Sequence, residues 1–132
     1  MLTYKKDSLR KVWMHMKTIA FYDTKPYDKI WFDKLKGEYD FEIKYLEDKL
    51  NKYTAVVAHD CDGVVAFVND ALDAQTIDIL HQNNIGIIAM RCAGYNNVDF
   101  KAAYGKVHVT TVPAYSPFAV AEHAMALLMT LV

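Results

Sequence analysis

The sequence predicts an open α/β sheet of five parallel strands followed by one unusually apolar helix. Two patterns carry that expectation. Short apolar runs bounded by turn residues alternate with longer amphipathic stretches along most of the chain, the order expected of βαβ units and a parallel sheet. Two of the runs, GVVAFV at 63–68 and IGIIAM at 85–90, are apolar without alternation, as strands covered on both faces are. The composition agrees: 132 residues, 53% hydrophobic and 23% charged, make one domain's worth of globular sequence.

The elements follow in order. Residues 17–22 (KTIAFY) read as the first strand and 26–36 (PYDKIWFDKLK) as a helix. Pro26 suits its first turn, Ile30, Trp31 and Leu35 suit a buried stripe, and Gly37 suits the stop. Residues 41–46 set Phe, Ile and Tyr against Glu, Lys and Leu, the alternation of a half-buried or edge strand. A short helix is expected over 54–60, a central strand over 63–68 and an amphipathic helix over 73–82 through Ile77 and Leu80. Strands over 85–90 and 107–112 enclose a short helix over 99–104.

The last segment differs from these. Ser116 and Pro117 make a good N-cap and first position. From residue 118 to 132 only Glu122, His123 and Thr130 are polar. A helix apolar nearly all round belongs inside a larger protein, at an interface or in a membrane. This one is short for a membrane span, and no stop signal precedes Val132. A partner domain or partner chain is therefore expected, with self-association through 117–132. At the other end, Lys5, Lys6, Arg10 and Lys11 face only Asp7 within residues 1–15. No apolar signal-peptide core follows. Residues 1–15 read as a disordered extension and the chain as cytoplasmic.

Several chemistries are excluded. The five glycines stand at 37, 63, 86, 94 and 105, so neither GxGxxG nor a Walker loop exists in this chain. A net charge of −1 lacks the basic face that nucleic acid requires. Two cysteines, Cys61 and Cys92, cannot make a disulfide framework or a four-ligand zinc site unaided. His59-Asp60-Cys61-Asp62 is a run of neighbours that do not converge on one ion, and no second cluster completes a shell. Glu122 and His123 are adjacent on a helix and do not face each other, so they form no dyad. His15, His81 and His108 have nothing to activate them, and no Ser-His-Asp or Cys-His set is present.

Ligands of open parallel sheets bind beyond the carboxyl ends of the strands. That rule selects residues 23–27, 69–70, 91–95 and 113–116. The loop around Gly94 offers successive backbone N–H groups, which form an anion-binding concavity, and a small carboxylate fits that chemistry. Arg91 has the fork of a carboxylate clamp; the competing expectation is that it pairs with Asp70 or Asp99 and orders the loop. Tyr115, close to Pro113 and Pro117, is stiffly held and expected at the same edge.

Four stretches, MKTIAFYDTKPYDK (16–29), GVVAFVND (63–70), IIAMRCAGYNNVD (87–99) and VPAYSPFAVAEHAMALLMTL (112–131), together resemble the D-isomer-specific 2-hydroxyacid dehydrogenases, in particular their fermentative D-lactate branch. The resemblance covers residues 16–132. It implies a flavodoxin-like sheet of order 2-1-3-4-5 with helices on both faces, over 16–115, and a helix at 116–132 leading to a Rossmann NAD domain. It places the substrate carboxylate on the backbone amides of Cys92, Ala93 and Gly94, and a substrate contact on Tyr115. The family's catalytic Arg, Glu and His and its glycine loop would come after Val132, so this chain would hold no catalytic, cofactor or metal residue of its own. The implied protein is the N-terminal portion of an NAD-dependent D-2-hydroxyacid dehydrogenase, interconverting pyruvate and D-lactate as a homo-oligomer without nucleic acid or membrane.

Two other readings compete. A non-catalytic flavodoxin-like module could keep the fold and pair through its last helix. A phosphoacceptor receiver would need paired acids after the first strand and a Lys after the fifth; Asp23 is single and VPAY at 112–115 supplies no Lys.

Overall fold

The computed structural model describes residues 16–114 and 116–131. The expected extension at 1–15, Tyr115 and Val132 lie outside the described residues. Five strands are formed: β1 Lys17–Phe21, β2 Phe41–Tyr45, β3 Gly63–Ala66, β4 Ile87–Met90 and β5 His108–Thr110. The helices are α1 Pro26–Leu35, α2 Ala74–Gln82, α3 Phe100–Ala103 and α4 Pro117–Met129, with a short 3-10 helix at Ala55–Ala58. The sheet runs β2-β1-β3-β4-β5, every pairing parallel. This is the flavodoxin-like order, with β2 at one edge, as its alternation requires.

The core gathers around β3 and β4. Val64, Ala66, Ile88, Leu72 and Leu80 are essentially inaccessible. Gly63 permits the close approach of these strands: a Cβ there would stand 3.0 Å from Ile87 Cγ2. Tyr22 is fully buried beside them. Its hydroxyl donates to Thr54 O at 2.9 Å, and burial pushes its pKa well above the ordinary phenol value. Gly105 adopts φ +73° in the turn into β5, where a side chain would be strained.

Three expectations are corrected. Ile30, Trp31 and Leu35 do not form a buried stripe; they are 59%, 65% and 41% exposed. The phase of α1 is set at its start, where the Asp28 carboxylate turns back to accept the Lys25 N–H at 2.8 Å and is buried. One turn on, Phe32 lies over the sheet, its ring 5.0 Å from that of Phe21 in an edge-to-face contact. With about 100° per residue, a line through 28 and 32 turns Ile30 and Trp31 away from the sheet. The helix expected over 54–60 shrinks to the four-residue 3-10 turn, held by Asn51, whose side chain accepts from Tyr53 N and Thr54 N. The runs 63–68 and 85–90 are strands only over Gly63–Ala66 and Ile87–Met90, and Val68 and Ile87 are partly exposed.

The final helix forms as expected. Ser116 Oγ accepts from Ala119 N at 3.1 Å, Pro117 occupies the first turn, and no residue of the helix is buried. No described helix is long and apolar enough to cross a membrane.

Candidate functional site

The carboxyl ends of β1, β3 and β4 converge on one side chain, Arg91. Its backbone N–H continues the ladder to Ala66 O at 2.9 Å. Its guanidinium donates through Nη2 to Asp23 O at 2.9 Å. Nη1 lies 3.5 Å from Asp28 Oδ1, and Nη2 lies 3.8 Å from Asp23 Oδ2. The guanidinium carbon is 4.5 Å from the Phe67 ring centre and 5.3 Å from that of Phe21, within cation–π range. Arg91 therefore pairs with neither Asp70 nor Asp99. The reason is that both acids are engaged elsewhere: Asp70 accepts from Leu50 N at 2.7 Å and Phe67 N at 2.6 Å, and Asp99 caps α3 by accepting from Ala102 N.

Asp23 holds a left-handed backbone, φ 49°, which Asp tolerates better than most residues. The hydrogen bond from Lys25 Nζ at 2.8 Å holds its carboxyl below the ordinary range, and the charges of Lys25 and Arg91 add to this. Asp70 goes the other way. Burial raises its pKa, although its two backbone hydrogen bonds oppose the shift. Asp28 was not legible as a site residue; its one signal is its place at the third position of a helix opened by Pro26, where a carboxylate reaches back to the cap.

Immediately after Arg91 the chain forms the loop that the sequence singled out. Cys92 is buried, its thiol donating to Gly94 O at 3.3 Å, and burial raises its pKa. Cys92 O accepts from Val112 N at 3.1 Å, tying the loop to the chain after β5. Ala93 is half-buried and Gly94 exposed. Among the described residues no partner occupies the N–H of Ala93 or Gly94. Two successive free amides at a strand end can receive one small anion. The structure thus brings Cys92, Ala93 and Gly94 into one loop, while Tyr115 lies outside the described residues.

The first strand–helix turn does not offer a seat for a dinucleotide pyrophosphate. In doubly wound folds its pyrophosphate rests on the first strand–helix turn. Here that helix start is filled by the Asp28 carboxylate on Lys25 N, and Pro26 offers no N–H. A cavity of about 490 Å³ lies elsewhere, between α3 and β5, lined by Phe100, Tyr104, Val107 and Val109 among others.

Comparison with known proteins gives the class. Residues 19–129 match the model of the D-isomer specific 2-hydroxyacid dehydrogenase catalytic domain, and the chain belongs to that family. It is 50% identical over 114 residues to 2-hydroxyacid dehydrogenase homolog 1 of Schizosaccharomyces pombe, covering 86% of this chain and 34% of that protein. It is 41% identical over 114 residues to D-lactate dehydrogenase of Escherichia coli, covering 86% of this chain and 35% of that protein. The apo structure of the Escherichia coli enzyme superposes with a TM-score of 0.78, over 86% of this chain and 36% of that one. An NAD-complexed D-isomer specific 2-hydroxyacid dehydrogenase from Lactobacillus delbrueckii superposes at 0.69 with 27% identity, over 86% and 35% of the two chains. The chain spans about a third of the length of these relatives.

Proposed function

We propose that this chain supplies the substrate-binding side of an NAD-dependent D-2-hydroxyacid dehydrogenase acting on pyruvate and D-lactate. One observation carries the proposal: the N–H groups of Ala93 and Gly94, which have no partner among the described residues, at the carboxyl edge of the sheet, in a chain of this family. Cys92, Ala93 and Gly94 would hold the carboxylate of a 2-oxo acid through the backbone, and Tyr115 would offer its hydroxyl. Arg91 is engaged by Asp23 and Asp28 and serves as a strut rather than a substrate clamp. NAD, when bound by a cofactor domain, carries the hydride; solved relatives from Lactobacillus are complexes with that cofactor. A cytoplasmic homo-oligomer, covered along α4, completes this reading, and what supports the oligomer is the exposed apolar surface of that helix.

The test is an NMR titration of the 132-residue chain with pyruvate. The amides of Cys92, Ala93, Gly94 and Tyr95 should shift before any others, with weak affinity in the absence of further ligating groups. Shifts confined to Asp23 and Asp70 on adding magnesium would instead favour a receiver domain. The same chain should oxidise no NADH with pyruvate, and turnover above background would show that it holds acid–base chemistry not assigned to it.

A further inference from the structure

The N–H groups of Ala93 and Gly94 have no partner among the described residues, so their direction is set by the anchors on either side. Beyond the loop, Asn97 Nδ2 donates to Phe67 O at 3.0 Å and Asp70 O at 2.9 Å. Before it, Arg91 N donates to Ala66 O at 2.9 Å and Cys92 O accepts from Val112 N at 3.1 Å. Between these two bonds the chain is tied by the Arg91 side chain, which lies against the Phe21 and Phe67 rings and reaches the turn between β1 and α1. Two carboxylates stand there. That of Asp23 is shared: its Oδ1 accepts from Lys25 Nζ at 2.8 Å, and its Oδ2 is 3.8 Å from Arg91. Asp28 is nearer, its Oδ1 3.5 Å from Arg91 Nη1, and it is firmly fixed. Its Oδ2 accepts from Lys25 N at 2.8 Å while its own N–H donates to Lys25 O at 3.0 Å, and Pro26 stiffens the backbone between them. Little water reaches either partner, so the attraction is weakly screened.

We infer that Asp28 is a positioning residue for the Ala93–Gly94 site, acting through Arg91. The inference rests on the anion-loop reading above and adds what aims the amides. Asp28 has no contact with the substrate in this account. It holds the guanidinium at the rigid first turn of α1, and the guanidinium holds the backbone from which the loop departs. Ala93 is two residues from Arg91, too short a span to absorb a turn of that backbone. Without the Asp28 charge, Arg91 keeps its bond to Asp23 O but loses its nearer carboxylate. The loop then leaves β4 less firmly directed, and two amides without partners of their own cannot restore their aim.

The parent chain, Asp28→Asn, Arg91→Lys and the double variant are compared by NMR, first without ligand and then with pyruvate. Asparagine still accepts from Lys25 N, so the first variant removes the charge and keeps the cap. Lysine keeps the charge at 91 and loses the fork. In Asp28→Asn the ligand-free Ala93 and Gly94 amides should shift or broaden while those of α2 stay in place. Pyruvate affinity should fall about fivefold, the scale of coupling within one network. The double variant should bind no more weakly than Arg91→Lys alone, whereas a merely structural loss at α1 would add to it. Arg91→Lys, which leaves α1 untouched, carries the test if Asp28→Asn loses its dispersed spectrum: loop amides and affinity unchanged there would mean that nothing acts on the loop through Arg91. If pyruvate moves the parent's loop amides but Asp28→Asn changes neither them nor the affinity, or if the two losses add, the inference fails alone. If pyruvate moves no loop amide in the parent chain, the anion-loop reading fails and the inference with it.

Discussion

Helices α2 and α4 open alike and end in opposite environments. Each begins with a side-chain cap, Asp73 Oδ1 accepting from Thr76 N at 2.9 Å and Ser116 Oγ accepting from Ala119 N at 3.1 Å. In α2 the apolar residues are few and grouped, and Ile77 and Leu80 are fully buried. In α4 they surround the axis, and Leu127, Leu128 and Met129 are 54%, 54% and 68% exposed. Capping and propensity decide that a helix forms; they do not decide what it buries. That depends on whether one side of it faces a surface already in place. Full burial of a large apolar side chain contributes about 1.5–3 kcal/mol, so most of that contribution is left unrealised along α4 among the described residues.

Four substitutions sharpen this contrast. The largest loss is expected at Leu80→Ala, which leaves a cavity under α2 and should lower unfolding free energy by about 2–5 kcal/mol in urea titration. Next comes Asp73→Ala, which strips the α2 cap and should cost about 0.5–2 kcal/mol. The acid limb of the stability curve supplies a third. Asp23 has its pKa lowered in the fold, so its contribution is present above the ordinary aspartate value and is lost as pH falls through the lower folded value. Asp70 has its pKa raised, so its contribution is present at low pH and is lost as pH rises through the folded value. Asp23→Asn should therefore flatten the decline of the thermal midpoint on acidification, and an unchanged acid limb would remove Asp23 from the account. The smallest effect on folding belongs to Leu128→Ser in α4, within about 0.5 kcal/mol as for exposed sites. The same change should reduce self-association in sedimentation. A parent chain that sediments as a monomer, with α4 amides protected from hydrogen exchange, would mean that α4 finds cover on its own sheet and would erase the contrast.

The sheet was legible because its strands are punctuated: β3 and β4 are continuous apolar runs, and β2 alternates as an edge strand should. The loop at Cys92, Ala93 and Gly94 was legible from its place at a strand end and from the family resemblance. What escaped was relational. The place of Asp28 at the third position of α1 signals a bond back to the cap, but nothing local in PYDKIWFDKLK signals its ion pair with Arg91, 63 residues away and brought near by the parallel order of β1, β3 and β4. An apolar count along α1 favours burying Ile30 and Trp31. The capping bond to Lys25 N and the ion pair to Arg91 fix the helix phase otherwise.

The outward turn of α1 also governs what light reports about this protein. Trp31 is 65% exposed, with Lys34 Nζ 4.4 Å from its ring centre, so its indole is already in contact with water in the folded chain. Unfolding changes that surrounding little, and its emission should move only slightly across the denaturation transition. Buried Tyr22, bonded to Thr54 O, is the chromophore whose environment collapses with the core, and near-ultraviolet dichroism should follow it. Anything that settles on α1, by contrast, would cover the indole and shift its emission to the blue, making Trp31 a reporter of surface contact in a chain whose core it does not see.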